Sequence, residues 1–180
     1  GRALAGVPRD RYLLATKFIP RNEEAGETIS GDQLIASCER SLERLRVDTL
    51  DILQFHGVLP DEYAEVVDRL LPVAKRLQEA GKVRFLGISE QFLKDPSHRM
   101  LESALDDDCW DTLMVKYGIL NQRAARAVLP RARDQDVGVF NMSALRVKLT
   151  RPGELERTLD RWKQAGLIDH DALPDTDPLG

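Results

Sequence analysis

Five residues able to move protons or charge stand where apolar runs of this chain stop. Lys17 follows Tyr12 to Thr16, His56 closes Thr49 to Phe55, Ser89 ends Val83 to Ile88, Tyr117 ends Thr112 to Lys116, and Ser143 stands just beyond Val137 to Met142. A lysine ammonium lowers the pKa of a phenol beside it, and a lysine whose own pKa is lowered by burial becomes a nucleophile toward carbonyls. An imidazole can orient a carbonyl and stabilise the charge that develops on its oxygen. Each residue also has a structural reading: a snorkelling lysine, a satisfied core histidine, a serine that caps a turn, an aromatic packed in the core. His98 and His170 sit in helix-start and loop contexts and receive no role. What joins the five is their position, so the elements that carry them decide the matter.

Strands and helices alternate along the chain. Tyr12 to Phe18 is short and apolar, as a buried parallel strand requires. Ser30 can cap a helix with Gln33 reaching back, and Leu34, Ile35, Cys38, Leu42 and Leu45 follow at helical spacing. The second strand is Thr49 to His56, followed by a polar helix from near Glu62, a fresh helix start at Pro72 and a stop at Gly81. Val83 to Ser89 is the third strand, with a helix around Ser97 to Leu105 after it; Thr112 to Tyr117 is the fourth, with Pro130 in the first turn of its main helix. Val137 to Met142 is the fifth, and Gly153 to Ala165 the last helix, with Leu159 and Trp162 expected inward.

Such alternation implies a parallel sheet with right-handed crossovers. No G-x-G-x-x-G follows the first strand, which weakens a dinucleotide-binding doubly wound sheet. The expected fold is a partial TIM (β/α)8 barrel of five parallel strands alternating with helices, each unit taking about 36 residues. The chain opens on Gly1 and closes in a loop-like Asp175 to Gly180, so residues 1–180 are read as one partial barrel domain cut at both ends. In a barrel the active site lies at the carboxyl ends of the strands, where all five polar residues fall.

The 180 residues are 42% hydrophobic and 31% charged, with a net charge of −4, the balance of an ordinary globular chain. That charge argues against nucleic acid as partner. No apolar run reaches the length of a membrane span and no leader opens the chain, so a cytoplasmic location is expected. Cys38 and Cys109 lie far apart without zinc-ligand spacing. Oligomeric state has no signature.

Three stretches carry a resemblance. Leu14-Ala-Thr-Lys17, then Ser37 to Leu45 leading into Asp48 to His56, then Gly81 to Ser89, resemble consecutive signatures of the aldo/keto reductase family in order and spacing. The similarity continues through Trp110 to Tyr117 and Val137 to Leu145. It implies a (β/α)8 barrel that binds NADP(H), or NAD(H), along its rim without a Rossmann motif and transfers hydride between nicotinamide and a carbonyl or alcohol.

The resemblance also implies roles. Of the family's Asp, Tyr, Lys and His tetrad, Lys17 and His56 match the last two; the Asp and Tyr belong before the lysine strand, where only sixteen residues precede Lys17. Tyr12 lies at the wrong end of that strand to substitute. Ser89 matches a serine that holds the nicotinamide amide, Glu90 stands where an asparagine is usual, Met114 where a glutamine is usual, and Met142 where an aromatic stacks. Ser143 and Leu145 match residues that approach the pyrophosphate. The fragment is expected to lack turnover alone. Two other readings use the same residues: a Schiff-base aldolase on Lys17, and a non-catalytic regulatory subunit that binds cofactor.

Overall fold

A computed structural model describes residues 1–22, 26–144 and 150–169. It divides into two compact units, Gly1–Met142 and Ser143–Gly180. The first holds β1 (Ala15–Phe18), α1 (Gly31–Leu45), β2 (Leu50–Val58), α2 (Tyr63–Glu79), β3 (Val83–Glu90), α3 (Arg99–Asp106), β4 (Thr112–Lys116), α4 (Ala124–Ala127), α5 (Leu129–Asp134) and β5 (Gly138–Met142); the second holds α6 (Glu154–Gln164). The five strands pair in parallel in the order β1-β2-β3-β4-β5. A doubly wound sheet reverses its order at a switch point, whereas strands that follow one another in sequence form an arc of a barrel.

Alternation along the strands divides the sheet into two faces. Leu53, Phe55, Leu86, Ile88, Leu113 and Val115 form one core with Leu34, Cys38 and Leu42 of α1, Leu70 and Leu77 of α2, and Met100 and Leu101 of α3. Phe55 sits at its centre, edge-on to Phe18 and Trp110 with ring centroids 4.6 and 4.9 Å away. Gln54 and His56 point to the opposite face.

The expected elements are present with shifted bounds. Ser30 caps α1 with the full reciprocal box: its side chain accepts from the Gln33 N–H and the Gln33 side chain accepts from its N–H. Pro130 falls in the first turn of α5. The expected break at Pro72 is absent, and α2 runs unbroken from Tyr63 to Glu79 with the proline inside it. Pro72 and Asp68, whose carbonyl loses its partner, both lie on the exposed face of the helix, where the lost bond costs least, while Leu70, Leu71, Val73, Ala74 and Leu77 bury on either side.

The first strand is shorter than the apolar run. The Tyr12 carbonyl accepts from Arg9 and the Leu14 N–H donates to Asp51, so side chains take the bonds a ladder would need. In α6 the buried residues are Leu155 and Thr158, one turn before the expected inward pair, and Leu159 and Trp162 are only half-buried.

Asp51 is the polar anchor of the sheet's lower end. Its carboxylate, 1% exposed, accepts from Arg9 and from Leu14 N–H at Oδ2 and from Arg84 at Oδ1, at 2.6, 2.7 and 2.7 Å. Burial pushes its pKa up, but the Leu14 N–H and the two guanidinium groups outweigh burial and hold it below the usual carboxylate value. The folded state therefore keeps this charge more readily than the unfolded chain. Its contribution is complete above the unfolded carboxylate pKa of about 3.9 and is lost as pH falls through the lower folded value. Asp51→Asn is expected to cost about 2–3 kcal/mol at pH 7, a buried pair discounted for its half-exposed arginines. Denaturant unfolding checks this, and the gap from the parent must narrow at pH 3.

Candidate active site

Parallel register stacks the second face of the sheet in layers. Lys17 pairs with Gln54, Gln54 with Gly87, Gly87 with Thr112, and Thr112 with Gly138. The next layer holds Ser89, Met114 and Phe140. Lys17 Nζ lies 3.3 Å from Met114 Sδ, although two strands separate theirs. Side chains standing up from a flat sheet would not meet across that span; the contact requires the sheet to curl about this face. Gly87 lets the lower layer close, because a Cβ there would lie 2.3 Å from Thr112 Oγ1 and 2.9 Å from Gln54 Cγ.

His56 owes its direction to an irregularity. Phe55 pairs with Ile88 and Val58 with Glu90, so β2 spends three steps where β3 spends two. The extra residue is accommodated at Gly57, whose φ of 68° lies in the left-handed region. The Gly57 N–H, unable to join the ladder, donates to Ser89 Oγ at 2.9 Å in a buried bond. His56 is left exposed on the rim. Its pKa is lowered, first by partial desolvation of the ring and then by the positive charges of Lys17 and Arg21. Lys17 is also exposed, and among the described residues it has no carboxylate within salt-bridge distance.

The other positions singled out by sequence divide. Ser89 is fully buried and serves the Gly57 turn. Met114 lines the face beneath Lys17, and Met142, half-buried, ends β5 in register with Lys116. Glu90 is turned toward the helices: Oε1 accepts from the Lys116 N–H and Oε2 meets His98 Nδ1, both at 2.7 Å, with both side chains fully buried. Its carboxylate is thus occupied within the fold. Ser143, at φ 53°, begins the second unit, and Leu145 lies outside the described residues.

His98, given no role from sequence, is a core residue whose left-handed backbone precedes α3. Its partner Glu90 is eight residues away, at no regular period. Arg21 and Glu62, which meet beside Gly57, were equally silent.

The tyrosines are engaged away from Lys17. Tyr12 lies under the Arg9 guanidinium, 4.9 Å from its ring centroid. The Tyr63 hydroxyl donates to Asp107 and accepts from Trp110 Nε1, and burial pushes its pKa strongly up. Tyr117 packs against the core.

A family model described as the aldo/keto reductase family matches residues 1–166. The chain belongs to the aldo/keto reductase family. Among its relatives is the L-galactose dehydrogenase of Arabidopsis thaliana, 30% identical over 145 residues that cover 79% of this chain and 44% of that protein. Another is the aldo-keto reductase YhdN of Bacillus subtilis (strain 168), 27% identical over 72% of this chain and 37% of that one. This aldo/keto reductase chain thus spans less than half the length of these curated relatives. Its fold matches an aldo/keto reductase of Klebsiella pneumoniae solved with NADP and acetate, with a TM-score of 0.61 and 25% identity, covering 93% of this chain and 55% of that one. It also matches the holo form of an aldo-keto reductase from Bacillus halodurans, with a TM-score of 0.63 and 23% identity, covering 98% and 51%. Among the described residues no helix is long and apolar enough to cross a membrane.

Two substitutions test the turn that carries His56. A Cβ at Gly57 meets nothing within 4 Å, so Gly57→Ala costs only the left-handed backbone, about 1–2 kcal/mol by denaturant unfolding, and Gly57→Asn costs less. Ser89→Ala strands the buried Gly57 N–H and is expected to cost about 1–3 kcal/mol.

Proposed function

We propose that this chain supplies part of the catalytic rim of an NADP(H)-dependent oxidoreductase, with NAD(H) the alternative cofactor. It would interconvert a small-molecule aldehyde, ketone or sugar carbonyl with its alcohol. The observation that carries the reading is the placing of Lys17 and His56 near the ends of neighbouring strands at one rim of a curled sheet, where the lysine's charge acts on the imidazole. Membership of the aldo/keto reductase family supports it.

The residues present fit a nicotinamide in part. Met114 and Met142, both half-buried, offer soft apolar surface to a planar ring, and the Gln54 amide in the layer below is buried with neither atom hydrogen-bonded. Within the first unit Ser89, Met114 and Met142 are the positions assigned along the cofactor, while Glu90 contributes nothing directly because His98 and Lys116 hold both its oxygens. A bound nicotinamide would supply or accept the hydride.

The side chains do the rest. With its protonation disfavoured, His56 is a neutral imidazole at neutral pH, and its ring N–H donates to the carbonyl oxygen more strongly as that oxygen becomes an alkoxide. The Lys17 ammonium favours the deprotonated form of an acid beside it and so eases proton transfer to the alkoxide. That acid is not among the tyrosines described above. In this reading it comes, with the carboxylate that holds Lys17 in place, from polypeptide outside these 180 residues, and the isolated chain does not turn over.

Lys17→Met in the full-length protein is expected to cut carbonyl reduction by about 10²-fold or more while NADPH fluorescence enhancement persists. Unchanged rates would remove the mechanism. Borohydride trapping of a carbonyl on Lys17 would replace it with Schiff-base chemistry.

A further inference from the structure

We propose that Arg21 and Glu62 are a positioning pair that fixes the Gly57 turn and thereby the aim of His56; the inference rests on the role given to His56 above. Arg21 lies just beyond β1, at an isolated bridge with Thr28. Its Nη1 donates to the Gly57 carbonyl at 3.0 Å and to Glu62 Oε2 at 2.8 Å. Glu62 Oε2 also accepts from the Leu59 N–H at 3.2 Å, which closes the loop from Gly57 to Glu62 on itself. Both side chains are largely withdrawn from water, at 16% and 24% exposure.

Gly57 is therefore held on both sides. Its N–H is fixed to β3 through Ser89, and its carbonyl is fixed by Arg21 to the segment after β1. A glycine has no side chain with which to hold itself, and the ladder skips this residue, so these two contacts define the plane that His56 leaves. Arginine suits the task because its planar fork presents several donors in fixed directions, whereas a lysine offers a mobile point charge.

The same pair grades the field at the imidazole. Among the described residues, the charges acting on His56 are Lys17 from β1 and Arg21 from the following segment; Ser89 from β3 is neutral, and Glu62 pairs with Arg21 as its counter-charge. Glu62 offsets part of the Arg21 charge, so removing Arg21 and removing the charge of Glu62 are expected to move His56 in opposite directions, an outcome that loosened packing would not produce.

The test is NMR titration of the His56 ring resonances in the full-length protein, together with amide exchange at Gly57. Arg21→Met is expected to raise the His56 midpoint toward histidine's ordinary value and to lose protection at Gly57. Glu62→Gln, which keeps an acceptor for Arg21 and Leu59, is expected to lower the midpoint and keep the turn. An unmoved His56 in either variant, or the same direction in both, would overturn the proposal, and Glu62→Gln decides alone where Arg21→Met does not fold. Opposite shifts in a protein whose full-length form does not reduce carbonyls with NADPH would leave the pair standing and remove the oxidoreductase reading.

Discussion

A parallel ladder leaves little freedom at its end, and one residue too many in β2 settles what the rim becomes. The ladder fixes β2 against β3 up to Phe55; then Gly57 enters the left-handed region, the count slips by one, and the His56 side chain is left exposed at the rim. Such a bulge is common next to active sites because it re-aims a side chain without moving the scaffold. Here the scaffold is rigid for ordinary reasons: Leu53 and Phe55, on the other face of the same strand, are almost wholly buried against the helices. A displacement of His56 would therefore have to come from the turn itself.

The curl of the sheet does for Lys17 what the bulge does for His56. In a flat sheet the lysine would stand alone on an edge strand, whereas the contact with Met114 shows it leaning over a concave surface. A thioether is a weak acceptor, so the ammonium is oriented without being neutralised. That suits a group whose proposed work is to act on neighbours through its charge. The buried polar layer beneath, with the unpartnered Gln54 amide and Thr112 hydroxyl, contrasts with the fully satisfied Asp51 cluster at the lower end of the same strands. The satisfied ion cluster lies at one end of the sheet and the proposed site at the other, as barrels commonly arrange stability and chemistry.

Much of this was legible in the residues. Helix periodicity, the Ser30 and Gln33 box and Pro130 are local signals, and local structure followed them. Pro72 misled because a proline on a wet helix face costs less than the apolar residues around it gain by burial. Tyr12 to Leu14 misled because Arg9 and Asp51, 42 positions apart, satisfy that backbone. In the proposed site, strand-end placement points to Lys17 and His56, since both positions depend on where an apolar run stops. Arg21, Glu62 and His98 could not be found this way, because their meaning lies in contacts set by a bulge and a left-handed residue that no spacing encodes.

Hydride transfer at the rim that carries Lys17 and His56 is tested most directly by incubating the full-length protein with an aldehyde and NADPH carrying deuterium in place of both nicotinamide C4 hydrogens, and examining the product by mass spectrometry. One deuterium is expected on the carbinol carbon, at a rate that collapses in Lys17→Met. An alcohol without deuterium, or a substrate trapped on Lys17 by borohydride, would contradict it.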